Sequence, residues 1–283
     1  MEKLTTFFDQ DFIKNLVSAL IGTGTALIVF YLTIRNDKKK ERKLDKEQNK
    51  QRLNNFSNLL QSAKKQIESF EKVLQQQIDN FSKDQIEFPQ LTYNPDYSIE
   101  RLKVLIQDEN YFFAFTKIHK NKIAEYNEIG ILIDYFIEQE KQVVEMTNRD
   151  SETVFKLKKE FSETVYSLFH YKVYSLTFRK DLLNKNYIDK LNDIYNEFYK
   201  NLKSQDEMNY YSSDFFKPVL EQVLNKNVAN LEILELTHEC KKAIILIERI
   251  KRQNKTHKGE MEYILSNYKN RVNLFNKAIK ELI

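Results

Sequence analysis

Glycine and proline are nearly missing: a chain of 283 residues has 4 of the first and 3 of the second. An average protein carries roughly 12% of the two together. These residues make the positive-φ and fixed-φ corners that sheet folds need. Sandwiches, barrels and doubly wound sheets of this length are therefore excluded, and long helices joined by few turns remain. Gly22, Gly24, Gly130 and Gly259 cannot build a P-loop or a GxGxxG turn either. Cys240 is the one cysteine, so no disulfide forms within the chain, which suits a reducing compartment. A basic excess is also absent from most of the chain. The formal charge is +4, and residues 35–50 account for it, with eight Lys and Arg against four Asp and Glu. A nucleic-acid-binding domain shows a broader excess. Hydrophobic content of 41%, with 20 Phe and 16 Tyr, excludes a disordered chain.

What is present begins with an uncharged run, Leu16 to Ile34. Its 19 residues would span about 28 Å as a helix, close to the hydrocarbon thickness of a bilayer. A signal peptide has a basic start and a small-residue cleavage site. Here the start is acidic and the end is basic, so the run reads as a single transmembrane helix over 12–34, after a short tail at 1–11. Lys3 and Lys14 precede it and eight basic residues follow it, which predicts a cytoplasmic C-terminal side at the cell membrane. The basic cluster would also meet anionic headgroups. Ser18, Gly22 and Ala26 share one helical face, a spacing that lets two such helices approach closely.

A heptad pattern comes next. Leu53, Leu60, Ile67, Leu74 and Phe81 repeat every seven residues, and Phe56, Ala63 and Phe70 follow the first three at the second apolar position, with Gln77 as a polar break. This predicts a coiled-coil stalk within 35–87. The seam would either pair identical chains or pack on helices of its own chain. Pro89 and Pro95 mark a hinge at 88–97. From 98 to 283 apolar spacing predicts a helical bundle. A helix starts near Ser98 with a break around Asp108–Asn110, a second covers Ile123–Met146, and Asn148–Ser151 makes a turn. A third runs from Val154 to Leu176 and a fourth from Ile188 to Leu202. Ser204–Lys217, with Tyr210, Tyr211, Phe215 and Phe216, is either a contact loop or core. Pro218 suits a first helical turn. A long helix covers about Asn227–Asn254, and a last one follows from Met261. The fold class expected is all-α: anchor, stalk and bundle.

Three constellations could carry chemistry. Glu235 and His238 match one Glu-x-x-His unit of a di-iron bundle, but such sites need two units and further Glu ligands, so no metal and no cofactor is expected. Cys240 lies on an apolar stripe and reads as a small buried hydrophobe. Arg252 and His257 stand five apart in a basic stretch, and the family resembled at that spacing is the HEPN-type ribonucleases, which are all-α. The resemblance implies that Arg252 would steady a phosphate and His257 would act as general acid–base across a dimer, with nucleic acid as partner. That family commonly has Asn, Asp or His after the Arg, where Gln253 stands here, and RQNKTHKGE also suits a solvated turn between two helices. Residues 12–80 resemble the leaders of uncharacterised bacterial membrane proteins, some linked to mobile elements and abortive phage infection. The function expected is a membrane-anchored interaction or oligomerisation module, with the bilayer and a second copy or another protein as partners through the stalk. The alternative is a membrane-tethered ribonuclease or abortive-infection effector.

Overall fold

A computed structural model describes residues 10–173, 185–201, 208–224 and 231–282. Among the described residues every regular element is helical. The expectations for the tail before residue 10, Leu176, Leu202, residues 204–207 and a helix start at Asn227 lie outside them.

The first helix, α1, runs unbroken over Gln10–Lys83, 74 residues or about 110 Å. The absence of Gly and Pro between Gly24 and Pro89 leaves nothing to stop it. Two short helices follow, α2 (Ser98–Gln107) and α3 (Glu109–Ile118). The Asp96 carboxylate accepts from Ser98 N at 2.9 Å, and Tyr97 turns the corner at φ 58. Asp108 separates α2 from α3 and accepts from Asn110 N with its side chain. Helix α4 (Ile123–Ser167) continues into a π-helical turn, Leu168–Val173. Then come α5 (Lys185–Asn201) and α6 (Met208–Tyr210), a second π turn (Tyr211–Phe216), α7 (Lys217–Leu224) and α8 (Leu231–Leu282). Just before Pro218 the ladder is already wide: Lys217 N donates to Ser212 O.

Two expectations are corrected, and one left open is resolved. The turn at Asn148–Ser151 is absent, because α4 passes straight through it. The turn between Asn254 and Met261 is absent too, so the last two expected helices are one, α8. Finally, the heptad seam does not stand free. Phe56, Leu60, Ala63, Ile67, Phe70, Leu74 and Phe81 are at most 3% exposed, covered by helices of the same chain. The seam packs on α2, α3 and α8, the second of the two readings left open.

Helices α4 and α8 form the most extensive pair and share two cores. One joins the seam to Tyr126–Met146 of α4 and Met261–Leu282 of α8. The other joins Val154–Val173 to Ile233–Ile250, with α5 and the π turn that carries Phe215 and Phe216. These two aromatics are fully buried, and Tyr210 and Tyr211 pack beside them, so the aromatic side chains of that segment are core, while Asn209, Ser213, Asp214 and Lys217 face outward.

Candidate functional site

Two features stand apart from ordinary core: an apolar segment with no cover, and a polar layer with no solvent. On α1 the large apolar side chains from Leu16 to Ile34 are 39–64% exposed. Mean hydropathy in this part of the helix reaches 1.9 and none of it is buried. The helix is thus long and apolar enough to cross a membrane, and this segment of it does not pack in the core. Its hydroxyls suit hydrocarbon: Thr25 Oγ1 donates to Ile21 O and Thr33 Oγ1 to Val29 O, each at 2.8 Å. Beside Gly22 and Gly24 an added Cβ would meet nothing within 4 Å, so among the described residues nothing packs on the small-residue face. The basic residues 35–47 that follow are exposed as well.

The polar layer lies where the two cores meet. Between Met146 and Val154 on α4, and between Ile250 and Met261 on α8, the buried positions turn polar. Asp150 is 2% exposed and holds both carboxylate oxygens in contacts. Oδ2 lies 2.7 Å from His257 Nδ1, and Oδ1 takes Arg149 Nε at 3.1 Å and Gln253 Nε2 at 3.2 Å. Such pairing is what allows a carboxylate to remain buried. Asn254, 1% exposed, donates from Nδ2 to Gln85 O at 2.9 Å and to Glu87 O at 2.8 Å. It ties the chain leaving α1 to α8. Phe81, the last seam residue, meets the His257 ring edge to face at 5.3 Å.

The structure does not bring Arg252 and His257 together in one site. They sit about 140° apart around the same helix. Arg252 is exposed and lines a groove of about 560 Å³ with Lys251, Lys255, Lys258 and Glu248. His257 is 0% exposed, beneath the surface against Asp150 and Phe81, and its Nε2 has no hydrogen-bond partner. An acid–base group must come within hydrogen-bond reach of the proton it moves. A wholly buried ring meets no solvent-borne phosphate, and this one acts as a structural partner of Asp150.

Cys240 is fully buried, and burial pushes its thiol up to about 12, so it packs as a hydrophobe. Glu235 and His238 lie on exposed positions of α8. Among the described residues no three His, Cys, Asp or Glu side chains gather as a metal site would require.

The sequence reading missed Asp150 and Asn254 as buried residues, because each lay in an expected turn. The signal was present. Met146, Asp150 and Val154 are spaced four apart, and Ile250, Asn254, His257 and Met261 keep a spacing of three or four. The apolar stripe continues through both polar stretches in register.

No family model, no curated protein and no solved structure matches the chain.

Proposed function

We propose that the protein is a single-pass, membrane-anchored interaction module whose helical body faces the cytoplasm. One observation carries this reading: a single helix joins an exposed, membrane-length apolar segment to the buried seam of the body, with no flexible linker between them. A helix that enters the core at Phe56 and leaves the body apolar above Ile34 sets the body's distance from the bilayer. Residues 35–52 would provide a spacer of about 27 Å. Nine basic side chains on that spacer favour retention on the cytoplasmic side and contact with anionic headgroups. Anchoring confines copies to two dimensions and raises their effective concentration for pairing. Because the lower seam is occupied, association with a second copy would run through the Ser18–Gly22–Ala26 face and the exposed spacer.

The test is sedimentation after alkaline carbonate extraction, with crosslinking in membranes. The full chain should remain with membranes and yield crosslinked dimers that weaken in Gly22→Leu. Release by carbonate would overturn the anchor, and a persistent monomer would overturn the pairing. A cysteine introduced at position 41 should be shielded from a membrane-impermeant thiol reagent in intact cells, and labelling there would reverse the orientation.

A second reading, a membrane-tethered ribonuclease, is supported by the basic groove at Lys251, Arg252, Lys255 and Lys258. RNA binding and cleavage by the full chain that both weaken in Arg252→Ala would favour it. Absence of RNA cleavage by the full chain would remove it, and undiminished cleavage in Arg252→Ala would remove the groove as its site.

A further inference from the structure

Between the proline-bearing segment and α4 lies a cavity of about 730 Å³, well within the size range of small-molecule sites. Pro89, Leu91 and Pro95 form one wall, and Ile137 and Val144 of α4 form the other. Tyr93, Glu100, Glu140 and Thr147 supply polar groups to the same cavity. Glu140 is 9% exposed. Its Oε2 accepts from Tyr93 OH at 3.2 Å and from Gln66 Nε2 at 3.4 Å, while its Oε1 has no partner. Glu100 Oε2 and Thr147 Oγ1 are buried without partners as well, and Thr147 is 3% exposed. A helical threonine commonly turns its hydroxyl to the carbonyl one turn back, as Thr25 and Thr33 do.

Buried acceptors in native proteins find donors, so three orphans lining one cavity indicate a missing donor. Two of the three are carboxylate oxygens, which repel anions and favour a cation carrying N–H groups. Lys141 and Glu145 also border the cavity, but they face each other at 4.0 Å, so Lys141 is already engaged with Glu145. The walls are apolar and would cover a short hydrocarbon or aromatic body. The corner at Asp96–Tyr97 joins the proline-bearing segment to α2, whose Glu100 lines the same cavity as Glu140 and acts on it electrostatically.

We propose that this cavity binds a small organic ammonium compound, its nitrogen donating to Glu140 Oε1 and Glu100 Oε2 and its apolar body lying between Leu91, Pro95, Ile137 and Val144. The site is separate from the groove at Arg252 and independent of the anchor.

The experiment is calorimetric titration of the full chain in nanodiscs with 2-phenylethylammonium, against 2-phenylethanol and phenylacetate, with empty nanodiscs subtracted. The ammonium should bind saturably with one site per chain. The alcohol should bind at least tenfold more weakly, and phenylacetate should not bind. Glu140→Gln, which keeps the shape of the side chain, should weaken the ammonium at least tenfold while leaving far-UV circular dichroism unchanged. Val144→Trp, at a position 40% exposed on the cavity wall, should weaken binding at least tenfold by narrowing the apolar slot, and it serves as the deciding variant if Glu140→Gln fails to fold. Equal binding of alcohol and ammonium, full affinity in a folded Glu140→Gln or in Val144→Trp, or no saturable ammonium binding would each overturn the proposal.

Discussion

The two halves of α1 use similar side chains to opposite ends. From Leu16 to Ile34 the apolar residues cover the whole circumference and stay exposed; from Phe56 to Phe81 those on one seam are buried. The difference is one of pattern rather than of hydrophobicity. A seam at heptad spacing leaves a polar back and can fold against neighbouring helices in water. A run that is apolar on all sides needs cover all round, none of the described residues supplies it, and its length and composition suit the span of a bilayer.

Placing the same substitution in each half gives the largest expected contrast. Ile67→Asp buries an unpaired charge at a position 0% exposed and should cost more than about 4 kcal/mol, enough to prevent cooperative folding by circular dichroism. Ile28→Asp, at 62% exposure, should leave the body's unfolding transition unchanged and instead weaken membrane insertion by about 3 kcal/mol, read by carbonate extraction. If Ile28→Asp unfolds the body, the two halves are not independent.

Next in size is Asp150→Ala at the end of the seam. It leaves buried His257 facing an apolar gap and should lower stability by about 3–5 kcal/mol in urea titration, more than the exposed Arg252→Ala by far. Equal effects of the two would show that the polar layer contributes little.

Glu140 gives a pH dependence, because it faces Gln66 on the buried side of α1. Burial pushes its carboxyl up from 4.5 to about 7, with further upward pressure from Glu100 and Asp96. Between those values the folded chain holds a proton that the unfolded chain has released. Its contribution to stability is therefore present below about pH 4.5, declines as pH rises, and is gone above about pH 7, for a total on the order of 3 kcal/mol. Glu140→Gln should flatten that decline across pH 5–7.5 in thermal melts.

The smallest effect is expected at Gln77, the polar break in the seam, which is 5% exposed with its Nε2 unpartnered. Gln77→Met should raise stability by about 1 kcal/mol by removing an unsatisfied donor at similar volume. A loss on that substitution would mean that the amide has a partner in solution.

Much of this architecture was legible in the residue pattern. The uncharged run, the heptad repeat, the break at Asp108 and the scarcity of Gly and Pro led directly to helices of great length. The two polar stretches were misread as turns because Asn, Asp, Ser, Lys and Gly commonly mark them. Composition alone does not distinguish a solvated turn from a buried layer whose members satisfy one another. Asp150 and His257 lie more than a hundred residues apart, and their pairing exists only once α4 and α8 lie side by side.

The sequence by itself determined that the chain is helical, that its first helix has an apolar stretch of membrane length, and that a seam follows at heptad spacing, because these depend on local spacing along one element. The tertiary structure decided what that seam meets, that Arg252 faces a groove while His257 lies beneath it, and that Glu140, Glu100 and Thr147 line one cavity. Each of those depends on which residues distant in the chain come within a few ångströms, and one-dimensional periodicity carries no record of it.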